Sequence, residues 1–301
     1  MKFIQIKFFI AIIAGAIYGL APHARAEEAP PQSKKVAELS TSLSALTQTA
    51  TSATNIEKSE DSKKAGFGIA TGLEYSQKNA VEERASRESD TSLTLIPSYK
   101  FNDTYNISVK AIIDQENSGA KNTKTSDTKI TLGMEGFELT NTIKTTHGLS
   151  GVVPTSQTSQ QRDRLKGAVG LINGIGFTGR YLTLDYQLTL SRNFHEFNIN
   201  AEGTPNVEFR IAHSFEIKVP ITEKFYLTSQ AVYRLGRTYG GIEKTSFEIH
   251  GDINYDFTKT FGMNIGTSND GEALKSNGVD SNISAYNDKT SVTRAGLSYV
   301  Y

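Results

Sequence analysis

The chain has no cysteine and no tryptophan, seven prolines among 301 residues, and no surplus of either charge, with Lys+Arg and Asp+Glu both at 32. Each absence excludes something. Without cysteine there is no disulfide, no thiolate metal site and no thiol for a lipid anchor. Without a basic surplus, nucleic acid is not an expected partner, because phosphate backbones demand a positive face. Beyond the N-terminal segment no apolar run approaches the roughly 20 residues that a membrane-spanning helix needs. Without tryptophan, any aromatic membrane belt must be built from the 13 tyrosines and 15 phenylalanines.

What is present is alternation. Between Val207 and Val219 the odd positions Val207, Phe209, Ile211, Phe215, Ile217 and Val219 are apolar, with His213 the exception. The even positions Glu208, Arg210, Ala212, Ser214, Glu216 and Lys218 are polar or small. Side chains alternate faces along a strand, so this stretch has one greasy and one charged face. An antiparallel sheet with one solvated face has the same pattern. The low mean hydropathy does not exclude a membrane barrel, because only alternate residues of its strands meet lipid.

The pattern recurs, giving about twelve expected strands. They are 66–77, 91–101, 105–115, 128–138, 142–153, 164–176, 180–192, 206–219, 225–237, 245–257, 260–268 and 290–301. Most are far longer than the ~5–6 residues usual in soluble domains, and match the ~9–11 that a tilted membrane strand needs. Short links are expected at Asn102–Thr104, Thr140-Asn141, Thr178-Gly179, Pro220–Lys224 and Thr258-Lys259. Long polar ones are expected at Lys78–Asp90, Asn117–Asp127, Thr155–Asp163, Asn193–Pro205, Thr238–Lys244 and Asn269–Lys289. Outer-membrane barrels put short turns on the periplasmic side and long loops outside. Aromatics crowd the short-turn ends, among them Phe67, Tyr99, Tyr105, Phe177, Tyr226, Tyr255, Phe261, Tyr299 and Tyr301. The expected fold class is therefore all-β, a transmembrane antiparallel β-barrel spanning 64–301. A soluble β-sandwich is the alternative that long strands and alternating loop lengths disfavour.

Two segments precede the barrel. Lys2 and Lys7 flank the start of an apolar core, Phe8 to Ile17, and Ala24-Arg25-Ala26 offers small residues at a cleavage site. Residues 1–26 have the form of a cleavable secretory signal, with an uncleaved N-terminal anchor as the alternative. Residues 27–63 are Ser/Thr-rich. A faint heptad through Val36, Leu39, Leu43 and Leu46 allows a short helix. The plainer reading is a flexible linker, since Ser and Thr are poor helix formers.

The final residues carry a resemblance. Ala295, Leu297, Tyr299 and Tyr301 share one face of the last strand, which ends in an aromatic residue. This resembles the terminal strand of bacterial outer-membrane β-barrel proteins as a broad class. The resemblance implies that the strand is an assembly signal for the barrel-assembly machinery. It implies outer-membrane lipid as the surrounding medium.

The polar faces nominate an inner wall: Lys100, Lys110, Asp114, Asp185, Glu208, Arg210, Glu216, Lys218, Arg234, Glu248, His250, Asp252, Asp256 and Arg294. Within it, Glu248, His250, Asp252 and Asp256 form one stripe. That stripe is either a selective or proton-sensitive lining, or a hydrated wall paired with Arg234 and Arg294. His147 and His213 fall on outward faces, and His195 near a strand end. No zinc spacing, calcium loop or nucleotide loop is present, so no metal or cofactor is expected. Outer-membrane phospholipases place a His shortly before Ser-Asn-Gly; here Ser276-Asn277-Gly278 has no such His, and no enzyme activity is expected. The leading expectation is passive diffusion of small hydrophilic solutes. The alternatives are a non-conducting structural or adhesive surface barrel that displays its loops and, behind it, a barrel-embedded enzyme.

Overall fold

A computed structural model of the chain describes residues 65–79, 88–118, 121–275 and 277–301. The expected signal, the 27–63 segment and Ser276 lie outside the described residues. The described strands are β1 (Gly66–Lys78), β2 (Ser89–Lys100), β3 (Tyr105–Glu116), β4 (Thr123–Thr125), β5 (Thr128–Thr140) and β6 (Ile143–Val153). They continue as β7 (Leu165–Thr178), β8 (Thr183–His195), β9 (Val207–Pro220), β10 (Phe225–Thr238), β11 (Glu243–Asp256), β12 (Phe261–Glu272) and β13 (Val292–Val300). No described helix is long and apolar enough to cross a membrane.

The strands form one antiparallel sheet in the order β2-β1-β13-β12-β11-β10-β9-β8-β7-β6-β5-β3-β4, and an added β2–β3 pairing closes it. Each barrel strand therefore has two neighbours, which removes the unpaired edges that would otherwise invite aggregation. β4 is a three-residue strand that pairs only with β3, outside the closed ring. It was not expected from the sequence, because Thr-Lys-Thr has no apolar alternation to mark it.

All twelve barrel strands fall within three residues or so of their expected starts. The alternation holds: Leu73, Leu93, Ile113, Leu132, Leu149, Leu171, Leu190, Ile211 and Leu297 are exposed on the outside of the ring. A lipid-facing arginine or lysine at mid-membrane costs about 2–4 kcal/mol, which accounts for the apolar choice. One loop departs from expectation. The β10–β11 link at 239–242 is a tight turn, although it lies on the long-loop side. Thr238 closes it: its backbone carbonyl accepts from the Gly241 N–H at 2.9 Å, and its hydroxyl accepts from the Ile242 N–H at 3.0 Å. Gly241 takes φ +81°, a left-handed conformation that glycine adopts without cost.

Several described long-side loops are tied to one another. Asn206 Nδ2, buried, donates to the backbone oxygens of Asp163 and Phe197 at 3.1 and 2.9 Å. Ser159 sits in a single π-helical turn, Thr158–Arg162, and its hydroxyl donates to Asp127 Oδ2 at 2.5 Å. Tyr239 Oη donates to the Asn193 backbone oxygen at 2.9 Å. The bonds to Asp163, Asp127 and Asn193 cross from one loop or strand end to the next, so this part of the rim is built as a unit.

Candidate functional site on the inner wall

In β10, β11 and β13 the even-numbered residues point into the ring. Gln230 and Glu248 are 1% exposed, His250 2% and Arg294 3%. Arg294 grips Asp252 with two parallel bonds, Nε to Oδ1 at 3.0 Å and Nη2 to Oδ2 at 2.6 Å. Paired N–H groups facing paired carboxylate oxygens give a strong and directional ion pair. Arg294 Nη1 also lies 3.9 Å from Glu74 on β1. Arg234 Nη2 donates to Glu248 Oε2 at 2.5 Å, and the other oxygen of Glu248 meets His250 Nε2. Sealing charges from water is costly unless they pair, and these charges pair.

Glycine makes the closest of these contacts possible. A Cβ at Gly266 would lie 2.0 Å from Asp252 Oδ1 and 2.4 Å from the Gly251 backbone oxygen. Gly266 stands opposite Asp252 on one side and Arg294 on the other. The bare backbone of β12 is thus the floor across which the aspartate reaches the arginine. Next to this polar patch lies an apolar one, also inward: Ala70, Ile96 and Ile112 are buried, with Val300 against them.

The wall formed by β5 to β9 differs. Its inward positions include Gly133, Thr146, Gly148, Ser150, Gly174, Thr189 and Ser191, all small. Thr146 is exposed, and Gln187, Thr189 and Ser191 are only half-buried. Asp185 and Glu216 lie side by side across the β8–β9 ladder, and among the described residues no ion pair joins either to a base. Lys110 and Lys129 are likewise ladder partners, on β3 and β5.

The remaining nominated residues sit as follows. Lys218 Nζ lies 4.0 Å from the Tyr226 ring centre, and Tyr226 Oη donates to Asp256 at 3.5 Å. Tyr226 therefore faces inward and is not part of the outer belt. Asp114 accepts from Ser92 Oγ at 2.5 Å, and Arg210 is half-buried on β9. Lys100 pairs with Asp103 at 3.0 Å in the short β2–β3 turn, at the ring's end. Glu208 departs from the group. The β9–β10 register skips it, pairing Arg237 with Phe209 and Thr238 with Val207. This bulge frees Glu208 to meet Arg192 Nη2 at 2.8 Å, where Arg192 stacks over Phe194 and Phe209. A bulge adds one residue to one strand and re-aims it, and the even–odd pattern alone does not reveal it. In the last strand Leu297, Tyr299 and Tyr301 are exposed on the outer face, and Tyr301 closes the ladder with Ile69 through two 2.9 Å bonds.

Outward polar residues are few but paired. His213 Nδ1 meets Tyr186 Oη at 2.8 Å. His147 bonds both Thr145 and Asn173. Among the described residues no group of His, Asp and Glu is placed to hold a metal ion.

No protein-family model matches the chain, and no curated protein is similar to it in sequence. Solved structures are similar to it in fold. The COG4313 outer membrane channel from Pseudomonas putida F1 aligns with a TM-score of 0.51 at 11% identity, over 81% of this chain and 99% of that one. The NanC porin aligns with a TM-score of 0.50 at 11% identity, over 78% and 99%. The KdgM porin aligns with a TM-score of 0.46 at 7% identity, over 76% and 98%. The fold is that of bacterial outer-membrane β-barrels.

Proposed function

We propose that this barrel is a passive channel of the bacterial outer membrane that lets small hydrophilic solutes cross unchanged. The carrying observation is a closed ring with an apolar outside and a charged inside, in which one wall is lined by small, solvent-touched side chains. Gly, Ser and Thr beside Asp185, Glu216 and Arg210 offer water and polar solutes a polar lining. Barrels of eight strands are filled by side chains, whereas sixteen leave an aqueous channel. Twelve strands lie between, so the size of the lining side chains decides the bore. In this proposal residues 1–26 direct export and are removed, residues 27–63 lie in the periplasm, and the Ala295, Leu297, Tyr299 and Tyr301 face is recognised by the barrel-assembly machinery. The inner wall comprises the nominated residues other than Glu208 and Lys100.

A specific observation favours a second reading. Gln230, Glu248, His250 and Arg294 are almost wholly sealed, which narrows the lumen on their side. A barrel closed throughout would be a surface protein displaying its tied loops. Single-channel recording of the purified, detergent-folded protein in a planar bilayer separates the two. The channel reading expects discrete conductance steps with a reversal potential under a salt gradient. Silence from a demonstrably folded barrel rejects it in favour of the surface reading.

A further inference from the structure

Two arginines stand on the outer wall close to its long-loop end, Arg192 near the end of β8 and Arg237 near the end of β10. They flank one aromatic residue. Phe209, exposed near the start of β9, is the ladder partner of Arg192 on one side and of Arg237 on the other. Neighbouring strands lie 4.7–4.9 Å apart, so the two arginine backbones are separated by about 10 Å with the Phe209 ring between them. Two long side chains reach across such a gap from either side.

Arg192 is held in place. Its guanidinium lies over the Phe209 ring at 5.1 Å and over the Phe194 ring at 5.4 Å, and Nη2 donates to Glu208 Oε1 at 2.8 Å. An arginine that only snorkels to an interface keeps its head in water and needs no fixed partner. Here the carboxylate reaches it because the β9 bulge turns Glu208 out of the inner wall. A guanidinium carries five N–H donors, and the bond to Glu208 occupies one of them. Arg237 is exposed and makes no ion pair among the described residues, although Glu243 is its ladder partner. Beside it lies an open cavity of about 180 Å³, lined by Glu208, Phe209, Arg237, Thr238, Tyr239 and Gly241.

The free donors select the ligand. Guanidinium groups bind phosphate oxygens through paired, directed N–H bonds. Glu208 and Glu243 offset the two positive charges, so an anion is taken here by donor geometry and not by a net positive field. The wall next to this rung selects between a free phosphate and a lipid. Leu190 and Ile211, ladder partners one outward step nearer mid-membrane, are both exposed and offer acyl chains a continuous apolar lane. Long loops lie outside the cell, so this level belongs to the outer leaflet, whose lipid is a phosphorylated acyl glycolipid. We propose that Arg192 and Arg237, on either side of Phe209, bind a phosphate group of the outer-leaflet glycolipid, with its acyl chains along Leu190 and Ile211. The site rests on the outer-membrane placement of the barrel and is independent of whether the lumen conducts.

The test is native mass spectrometry of the full-length, detergent-folded barrel titrated with diphosphoryl lipid A in the presence of EDTA. The proposal expects a bound lipid whose affinity falls as salt is raised. Phosphate-free lipid A should bind at least about 10-fold more weakly, because charge-assisted hydrogen bonds are lost. Arg192→Ala and Arg237→Ala should each weaken diphosphoryl lipid A by about 10-fold or more. Arg192→Lys should fall between, since it keeps the charge and loses the planar fork. Arg180→Ala, which removes an exposed arginine over Tyr181 at the short-turn end, should leave binding unchanged. The heat-dependent gel shift of each variant reads folding separately. Equal binding of the phosphate-free form overturns the proposal, as does full affinity in a folded Arg192→Ala, Arg237→Ala double variant. Binding that appears only when magnesium replaces EDTA also overturns it, because a metal bridge from Glu208 or Glu243 would then hold the phosphate. Displacement of the lipid by equimolar inorganic phosphate would show an anion site with no part for the acyl chains, and would equally reject it.

Discussion

Two halves of one ring solve the same problem in opposite ways. From β10 round to β3 the inward side chains are large or charged and cover one another. From β5 to β9 they include a run of small residues, and part of that wall is open to solvent. Arg294 and Asp252 have almost no contact with water, whereas Thr146 on the far wall is exposed. The strands are antiparallel throughout both halves. The difference is side-chain volume and charge, and it teaches that bore is set locally rather than by strand number alone. The sealed wall satisfies its buried charges in ion pairs. The open wall takes its stability from the ladder and from the lipid face behind it.

The sharpest way to break the comparison is Arg294→Ala. It removes the two-bond partner of buried Asp252, and removing one partner of a buried pair costs about 3–5 kcal/mol. Urea unfolding of the detergent-folded barrel should show that loss as a lower midpoint. Arg210→Ala, on the half-buried part of the inner wall, should move it far less. Equal shifts would mean that the sealed wall is no more dependent on its charges than the open one. Next in size is Ile211→Arg. Ile211 is exposed on the outer face between Leu190 and Leu235. An arginine there meets lipid at a cost of about 2–4 kcal/mol. The assembled, protease-protected fraction in membranes should fall, and normal assembly of this variant would overturn the assignment of the two faces.

Much of this was legible in the sequence, and the limits have physical reasons. The twelve barrel strands follow from period-two alternation, which needs no knowledge of neighbours. The pairing of Arg294 with Asp252 does not follow, because the residues are far apart in sequence and meet only through ladder register across Gly266. Glu208 was expected on the inner wall by parity, and a bulge cancels parity. Tyr226 was expected in the outer belt from its place beside a turn, yet its even position turns it in toward Lys218. The Thr145–His147 spacing is visible as i, i+2 on one face, but Asn173 joins them only through the β6–β7 ladder.

A smaller effect tests the floor of the sealed wall. Gly266→Ala inserts a methyl into space that Asp252 and the Gly251 carbonyl already occupy. Overpacking of this kind costs about 1–3 kcal/mol. Gly251→Ala is the control one strand away, since a Cβ there meets nothing within 4 Å. The unfolding midpoint should drop for the first and hold for the second.

The smallest effect on stability should carry a large effect on flow. Thr189 is half-buried on the inner face of β8, between Ile172 and Ala212 across the two ladders. Thr189→Arg adds a long cation there without breaking any ion pair, so stability should change by no more than about 0.5 kcal/mol. If solutes pass along the open wall, conductance should fall and the reversal potential should move toward anion preference, because a fixed positive charge raises the local anion concentration. An arginine at Gln230, on the sealed wall, should do the reverse: it disturbs folding while leaving the conductance of the assembled fraction unchanged. If both variants changed conductance alike, the permeation path would not be confined to the β5–β9 side, and the division of the ring into a sealed and an open wall would have no bearing on transport.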